Sequence, residues 1–298
     1  MAEHITVEKM QQMLCNKELS MRERFRGMST LRDIGGKEAI DSLLTCLDDP
    51  SALLKHEAVF CIGQIQDPYA IPYLINVLED TSQEPIVRHE AAEALGAIGS
   101  KEVLNILEKY RFDPVIEIAE TCQLALARIN WLNTNKHIQV ENPYKSVDPA
   151  PASDDDNVES LKSTLLDESL PLFDRYRAMF ALRNKTSEES VLALAEGMKA
   201  SSILLRHELA FILGQMRNKA GDALGRKADD TIVTVLTDAL KNSTESSVVR
   251  HECATALGEM DKNDCMQVLK EYLHDEEAVV SESCQLSLDM YAQSLLSK

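Results

Sequence analysis

Positive charge is scarce in this sequence. Thirty-one Lys and Arg stand against 49 Asp and Glu, a formal net charge of −18. Such a chain repels a phosphate backbone, so no nucleic-acid partner is expected; it draws basic partners or substrates instead. Long apolar runs are missing too. No stretch comes near the ~18–20 uninterrupted apolar residues that span a bilayer, so no membrane partner is expected either. The opening segment MAEHITVEKMQQ has neither the basic nor the apolar stretch of a secretory signal. Seven Cys occur, at 15, 46, 61, 122, 253, 265 and 284, with no Cys-x-x-Cys pair. An odd, scattered set on apolar helix faces reads as free thiols in a reducing cytoplasm. It also excludes a thiolate cluster for structural zinc or iron–sulfur.

What is present is repetition. LKHEAVFCIGQ from Leu54, VRHEAAEALGA from Val87, LRHELAFILGQ from Leu205 and VRHECATALGE from Val249 share a basic residue, then His-Glu, then a Gly seven places after the His. His56 and His89 lie 33 residues apart. Between them Ile71, Leu74, Ile75 and Leu78 fall at i, i+3, i+4 and i+7, an amphipathic helix. After a polar turn with Pro85, a second helix runs to a stop at Gly99. A helix pair of this length cannot bury its own apolar faces and must stack on its neighbours. The fold class is therefore all-α, an α-solenoid.

A larger duplication lies above the small one. ERFRGMSTLR (23–32) matches DRYRAMFALR (174–183) at an offset of 151, shared by His56 and His207; ETCQLAL (120–126) matches ESCQLSL (282–288) at 162, shared by His89 and His251. Each half reads as four helix pairs, 1–132 and 158–298, the inner two carrying His-Glu. The outer pairs are expected to place Met28, Ile118, Met179 and Val280 at the His position. The eleven extra residues between Gln215 and Ile232 are polar and Gly-bearing, which predicts a surface loop. Residues 133–157 lose periodicity and gain Pro, Asp and Asn, the composition of a linker.

At 100° per residue, Val87, Ala91, Ala94, Leu95 and Ile98 gather on one side of their helix, with His89 about 200° and Gly96 about 180° from Val87. His89 is thus expected on the inner surface of the superhelix, with the Gly leaving room for something to approach. The register repeats as His56/Gly63, His89/Gly96, His207/Gly214 and His251/Gly258, while the position four after the His varies as Phe60, Glu93, Phe211 and Thr255. A polar helix face would drift between copies; retention of His, Glu and Gly alone points to one shared task. Four imidazoles and up to four carboxylates are too many for one zinc, and none of the copies is His-Glu-x-x-His. Two His and one carboxylate per metal, with open positions, suit oxygen-activating ferrous iron, and two such sets meeting across the pseudo-twofold are expected to form a di-metal site. A zinc or manganese hydrolase, and a non-catalytic acidic scaffold for a basic protein, are the alternatives that the residues leave open.

The four phased pairs, together with the linker phrase NPYKSVDPAP at 142–151, resemble the deoxyhypusine hydroxylase family over essentially the whole chain. The resemblance implies HEAT-like repeats in two four-repeat halves, and a monooxygenase holding two iron ions (Fe2+) with O2 as co-substrate. Its implied substrate is the deoxyhypusine form of the hypusine-bearing translation initiation factor. It further implies His56, His89, Glu90, His207, His251 and Glu252 as metal ligands. Glu57 and Glu208, with Gly63 and Gly214 nearby, are implied on the substrate side, with metal contact by the two carboxylates left open.

Overall fold

The structure, a computed structural model, describes residues 6–135, 142–220, 224–260 and 262–296. Among them every regular element is helical, and sixteen α-helices follow one another along the chain. They group into two compact units, Met1–His137 with Ser146–Pro149 and Ile138–Lys145 with Ala150–Lys298.

The first unit holds four helix pairs: α1 (Val7–Cys15) with α2 (Met21–Ile34), α3 (Gly36–Leu44) with α4 (Ala52–Ile65), α5 (Ile71–Glu79) with α6 (Pro85–Ile98), and α7 (Leu104–Tyr110) with α8 (Ile116–Thr134). The second repeats the plan with α9 (Val158–Leu166) and α10 (Leu172–Lys185), α11 (Glu188–Gly197) and α12 (Ile203–Ala220), α13 (Arg226–Lys241) and α14 (Ser247–Gly258), and α15 (Asn263–Glu271) and α16 (Ala278–Leu296). Within each unit the second helices of successive pairs pack side by side: α4 on α6 and α6 on α8, then α12 on α14 and α14 on α16. Local chemistry starts and stops them. Ser51 accepts from Leu54 N at the head of α4 and Ser246 from Val248 N at the head of α14. Pro85 opens α6, where its missing N–H costs nothing. Gly99 ends α6 in the left-handed conformation at φ 74°.

Buried arginines join pair to pair. Arg24, Arg88 and Arg250 each donate Nε–H to a carbonyl ten residues earlier, that of Leu14, Leu78 and Leu240, at the end of the first helix of the pair. Each guanidinium then reaches an aspartate 25 residues on, Asp49, Asp113 or Asp275. Those aspartates in turn accept the N–H of Ser51, Val115 and Glu277, the residues that begin the next second helix. Arg175 makes the same backward bond, to Leu165.

This ladder corrects the register expected for the outer pairs. Arg24 and Arg175 are the structural equivalents of Arg88, so Phe25 and Tyr176 stand at the His position, not Met28 and Met179. Counting seven residues from Asp49 reaches His56; the same count from Asp113 and Asp275 reaches Glu120 and Glu282, not Ile118 and Val280. The four residues expected there are fully buried core instead.

Where it is described, the eleven-residue insertion is mostly helical. α12 has 18 residues where α4 has 14, and α13 has 16 where α5 has 9, so the extra length goes into the facing ends of two helices. An ion pair between Arg217 and Asp229 ties those extensions together. Of the expected loop, residues 221–223 lie outside the described residues.

The segment read as a linker is held to both units at several described points. Residues 133 and 134 finish α8, and 136–141 lie outside the described residues. In the second unit, Asn142 accepts from Arg183 at 3.2 Å, and the Arg183 guanidinium lies between the rings of Tyr144 (4.5 Å) and Phe180 (4.7 Å). In the first unit, Val147 exchanges two hydrogen bonds with the Gln64 side chain and Asp148 O accepts from Arg128.

Candidate metal centre

In the first unit the two His-Glu pairs stand on adjacent second helices, α4 and α6. One ladder spacing separates them, so their side chains meet. The His56 and His89 rings lie 5.7 Å apart between centroids, and His56 Nε2 is 3.1 Å from Glu90 Oε2. Ligand atoms of His89, Glu90 and Glu93 all fall within 4.8 Å of one another. The second unit repeats this on α12 and α14. His207 and His251 are 5.5 Å apart, His207 Nε2 is 3.9 Å from Glu252 Oε2, and ligand atoms of His207, His251 and Glu252 lie within 4.8 Å.

These groups are buried. His89 is 0% exposed, Glu90 3%, His251 2% and Glu252 7%, with His56, His207 and Glu208 similarly covered. α6 is buried almost all round and not only on its Val87 face, which replaces the expectation that His89 points away from the packed side.

The glycines are explained by packing. A Cβ on Gly63 would sit 2.9 Å from the Cα and Cβ of Ala94; on Gly96 it would meet Ala125 Cβ at 2.7 Å, on Gly214 Ala256 Cβ at 3.0 Å, and on Gly258 Ser287 Cβ at 2.5 Å. In every case the neighbour lies five residues past the His position of the next helix. The space that the sequence reading gave to an approaching substrate is taken by that helix. The glycines act by drawing consecutive helices together, which brings consecutive His-Glu pairs within reach of each other.

Burial also sets the protonation of the first unit. It pushes the Glu90 carboxyl up to about 8 and that of Glu57 up to about 7, where nearby His56 works against it and Glu90 with it. The imidazolium of His56 is disfavoured by the same burial, which takes it down to about 4 despite adjacent Glu57. His56 is therefore neutral at neutral pH, the form that donates a lone pair to a metal. Glu93 is raised well above the carboxylate range by burial and by Glu90, against the charge of Arg128. A neutral His56 beside carboxyls whose charged form burial disfavours is a donor set that a divalent metal ion fits.

All six residues expected as ligands are thus brought together, three in each unit. The structure adds Glu93, which the repeat comparison passed over because its position varies between copies. Its signal in the sequence was its spacing, four residues after His89 and so on the same helical face. Glu57 and Glu208 follow the first His of each unit, and Glu57 Oε1 receives a long contact of 3.8 Å from Cys61 Sγ. No helix among the described residues is long and apolar enough to cross a membrane.

Comparison with known proteins places this arrangement. A family model described as HEAT repeats matches residues 40–127 and 191–289. A deoxyhypusine hydroxylase of Drosophila pseudoobscura pseudoobscura is 52% identical over 278 residues, covering 93% of this chain and 88% of its own. The one from Homo sapiens is 50% identical over 285 residues, covering 96% and 91%. A solved structure of human deoxyhypusine hydroxylase in complex with glycerol superposes with a TM-score of 0.89 at 50% identity, covering 96% of each chain.

Proposed function

Since this chain belongs to the deoxyhypusine hydroxylase family and is an enzyme, we propose that it hydroxylates deoxyhypusine in the hypusine-bearing translation initiation factor, using O2 and one iron ion in each unit. Family membership supports the substrate. The observation that carries the metal reading is the in-phase recurrence, in two units, of two neighbouring buried imidazoles with a carboxylate beside them: His56 and His89 with Glu90, then His207 and His251 with Glu252.

The site fits the chemistry that the substrate requires. An unactivated methylene C–H yields to no amino-acid side chain, and bound iron would supply the activation of O2. His56, His89 and Glu90 would hold one ion; His207, His251 and Glu252 would hold the other. Burial excludes water, which strengthens every charge interaction inside. Glu57 and Glu208, the remaining carboxylates of the repeated pairs, are assigned to the ammonium groups of the aminobutyl-extended side chain. The acidic balance of the chain favours the approach of a cationic substrate. Seven free thiols suit the reducing cytoplasm in which we place the protein.

The test is to measure iron content, O2 consumption and product by mass spectrometry on purified protein and three variants. The wild type is expected to carry two irons per chain. Glu90→Ala and His251→Ala should lose iron. Glu57→Gln should keep its iron and weaken substrate binding by about ten- to a hundredfold, the range of a charge-assisted contact. An iron-free wild type that still hydroxylates would overturn the metal reading. Loss of iron in Glu57→Gln would move Glu57 to the metal.

A further inference from the structure

Duplication should have left two equal metal sites, but the residues around them are not equal. In the first unit Glu93 brings a carboxylate oxygen within 4.8 Å of ligand atoms of both His89 and Glu90. The equivalent residue in the second unit is Thr255, whose hydroxyl donates back to His251 O at 3.1 Å. It supplies no negative charge. Behind Glu93 stands Arg128, itself buried, with Nη1 donating to Gly96 O at 2.6 Å and Nε to Asp148 O at 3.0 Å. The offset of 162 places Met290 where Arg128 would recur, and Met290 is 49% exposed. The whole arrangement, a third carboxylate with a fixed arginine behind it, thus belongs to the first unit alone.

We propose that Glu93 is a further carboxylate donor of the first unit's metal centre, so that a divalent cation fills that unit before the second. The proposal rests on the metal reading above. His89, Glu90 and Glu93, whose ligand atoms lie within 4.8 Å of one another, joined by His56 at 3.1 Å from Glu90, would provide four of the six positions of an octahedral ion and leave two open, while the second unit offers one donor fewer and one negative charge fewer. Arg128, fixed by its bonds to backbone carbonyls, sets a positive charge near Glu93.

The test is an anaerobic titration of the full-length, metal-free protein with Co2+, followed by calorimetry and visible absorption. The wild type should bind two ions in two steps, the first at least about tenfold tighter, the scale on which a lost supporting group changes metal affinity. Glu93→Gln should merge the steps at the weaker affinity. Thr255→Glu should tighten the second step and leave the first. Thermal melts of the metal-free variants check folding, and if Glu93→Gln fails to fold, Thr255→Glu decides alone. Two equal steps in the wild type, unchanged steps in Glu93→Gln, or an unchanged second step in Thr255→Glu would overturn the role of Glu93 and leave the metal reading standing. Failure of the wild type to take up Co2+ would overturn both.

Discussion

Asp49 and Asp275 are both held below the usual carboxylate range. Burial works to raise them, and the hydrogen bonds from Arg24 and Ser51 N–H at one, and from Arg250 and Glu277 N–H at the other, outweigh it. A depressed folded-state pKa contributes stability that is complete above the unfolded value near ~3.9 and is lost as pH falls through the folded value. Asp49→Ala leaves Arg24 buried without its carboxylate, so at pH 7 it should cost about 3 kcal/mol in urea unfolding. Near pH 3 the gap between variant and wild type should shrink, because the wild type is then losing the same interaction. A gap of constant size from pH 7 to pH 3 would mean that the aspartate acts by shape and not by charge. In the sequence Arg88 and Arg250 were visible only as the basic residue before His-Glu, and Arg24 not even as that. Their partners, ten residues back and 25 on, follow no helical period, and nothing in a periodicity reading could have found them.

Helices α4, α6, α12 and α14 were legible as helices and as carriers of the candidate ligands, since His, Glu and Gly recur at fixed spacing. The sequence also indicated that the glycines leave room. What fills that room is a tertiary fact, because the contacts of Gly63 and Gly214 are Ala94 and Ala256, on other helices. The outer pairs were misregistered for a related reason. Buried Met28 and Ile118 sit on the apolar stripe, and a stripe alone fixes phase only to within a turn, whereas the ladder fixes it to the residue. The insertion was misjudged because Gly and polar side chains suggest a loop, while Ala228, Ile232 and Leu236 are the buried stripe of a helix. The packing account makes a prediction for α4. Gly63→Ala should destabilise by about 1–3 kcal/mol through overpacking against Ala94, even though Ala gains about 1 kcal/mol over Gly in helix propensity. A Gly63→Ala protein more stable than wild type in urea melts would show that α4 and α6 are free to separate.

For the molecule as a whole, a net charge of −18 sets the terms of encounter with the proposed cationic substrate. Raising salt from roughly 20 to roughly 500 mM should increase KM severalfold and leave kcat nearly unchanged, because screening weakens approach and not the buried chemistry. Equal losses in both constants would place the salt effect inside the site. The arginine ladder has a consequence of another kind, for how the chain can change length. Leu14 to Asp49, Leu78 to Asp113 and Leu240 to Asp275 are the same number of residues apart, so each arginine works as a ruler that accepts only one chain length between its two contacts. The extra residues between Gln215 and Ile232 fall outside all three measured spans, where two helices lengthen together and nothing downstream is displaced. A five-residue Gly-Ser segment added after Ala220 should therefore lower the melting temperature by no more than about 2 °C, while the same segment after Asp80, inside a measured span, should lower it by about 10 °C. Between the rulers this chain is free to grow; within them its length is settled residue by residue.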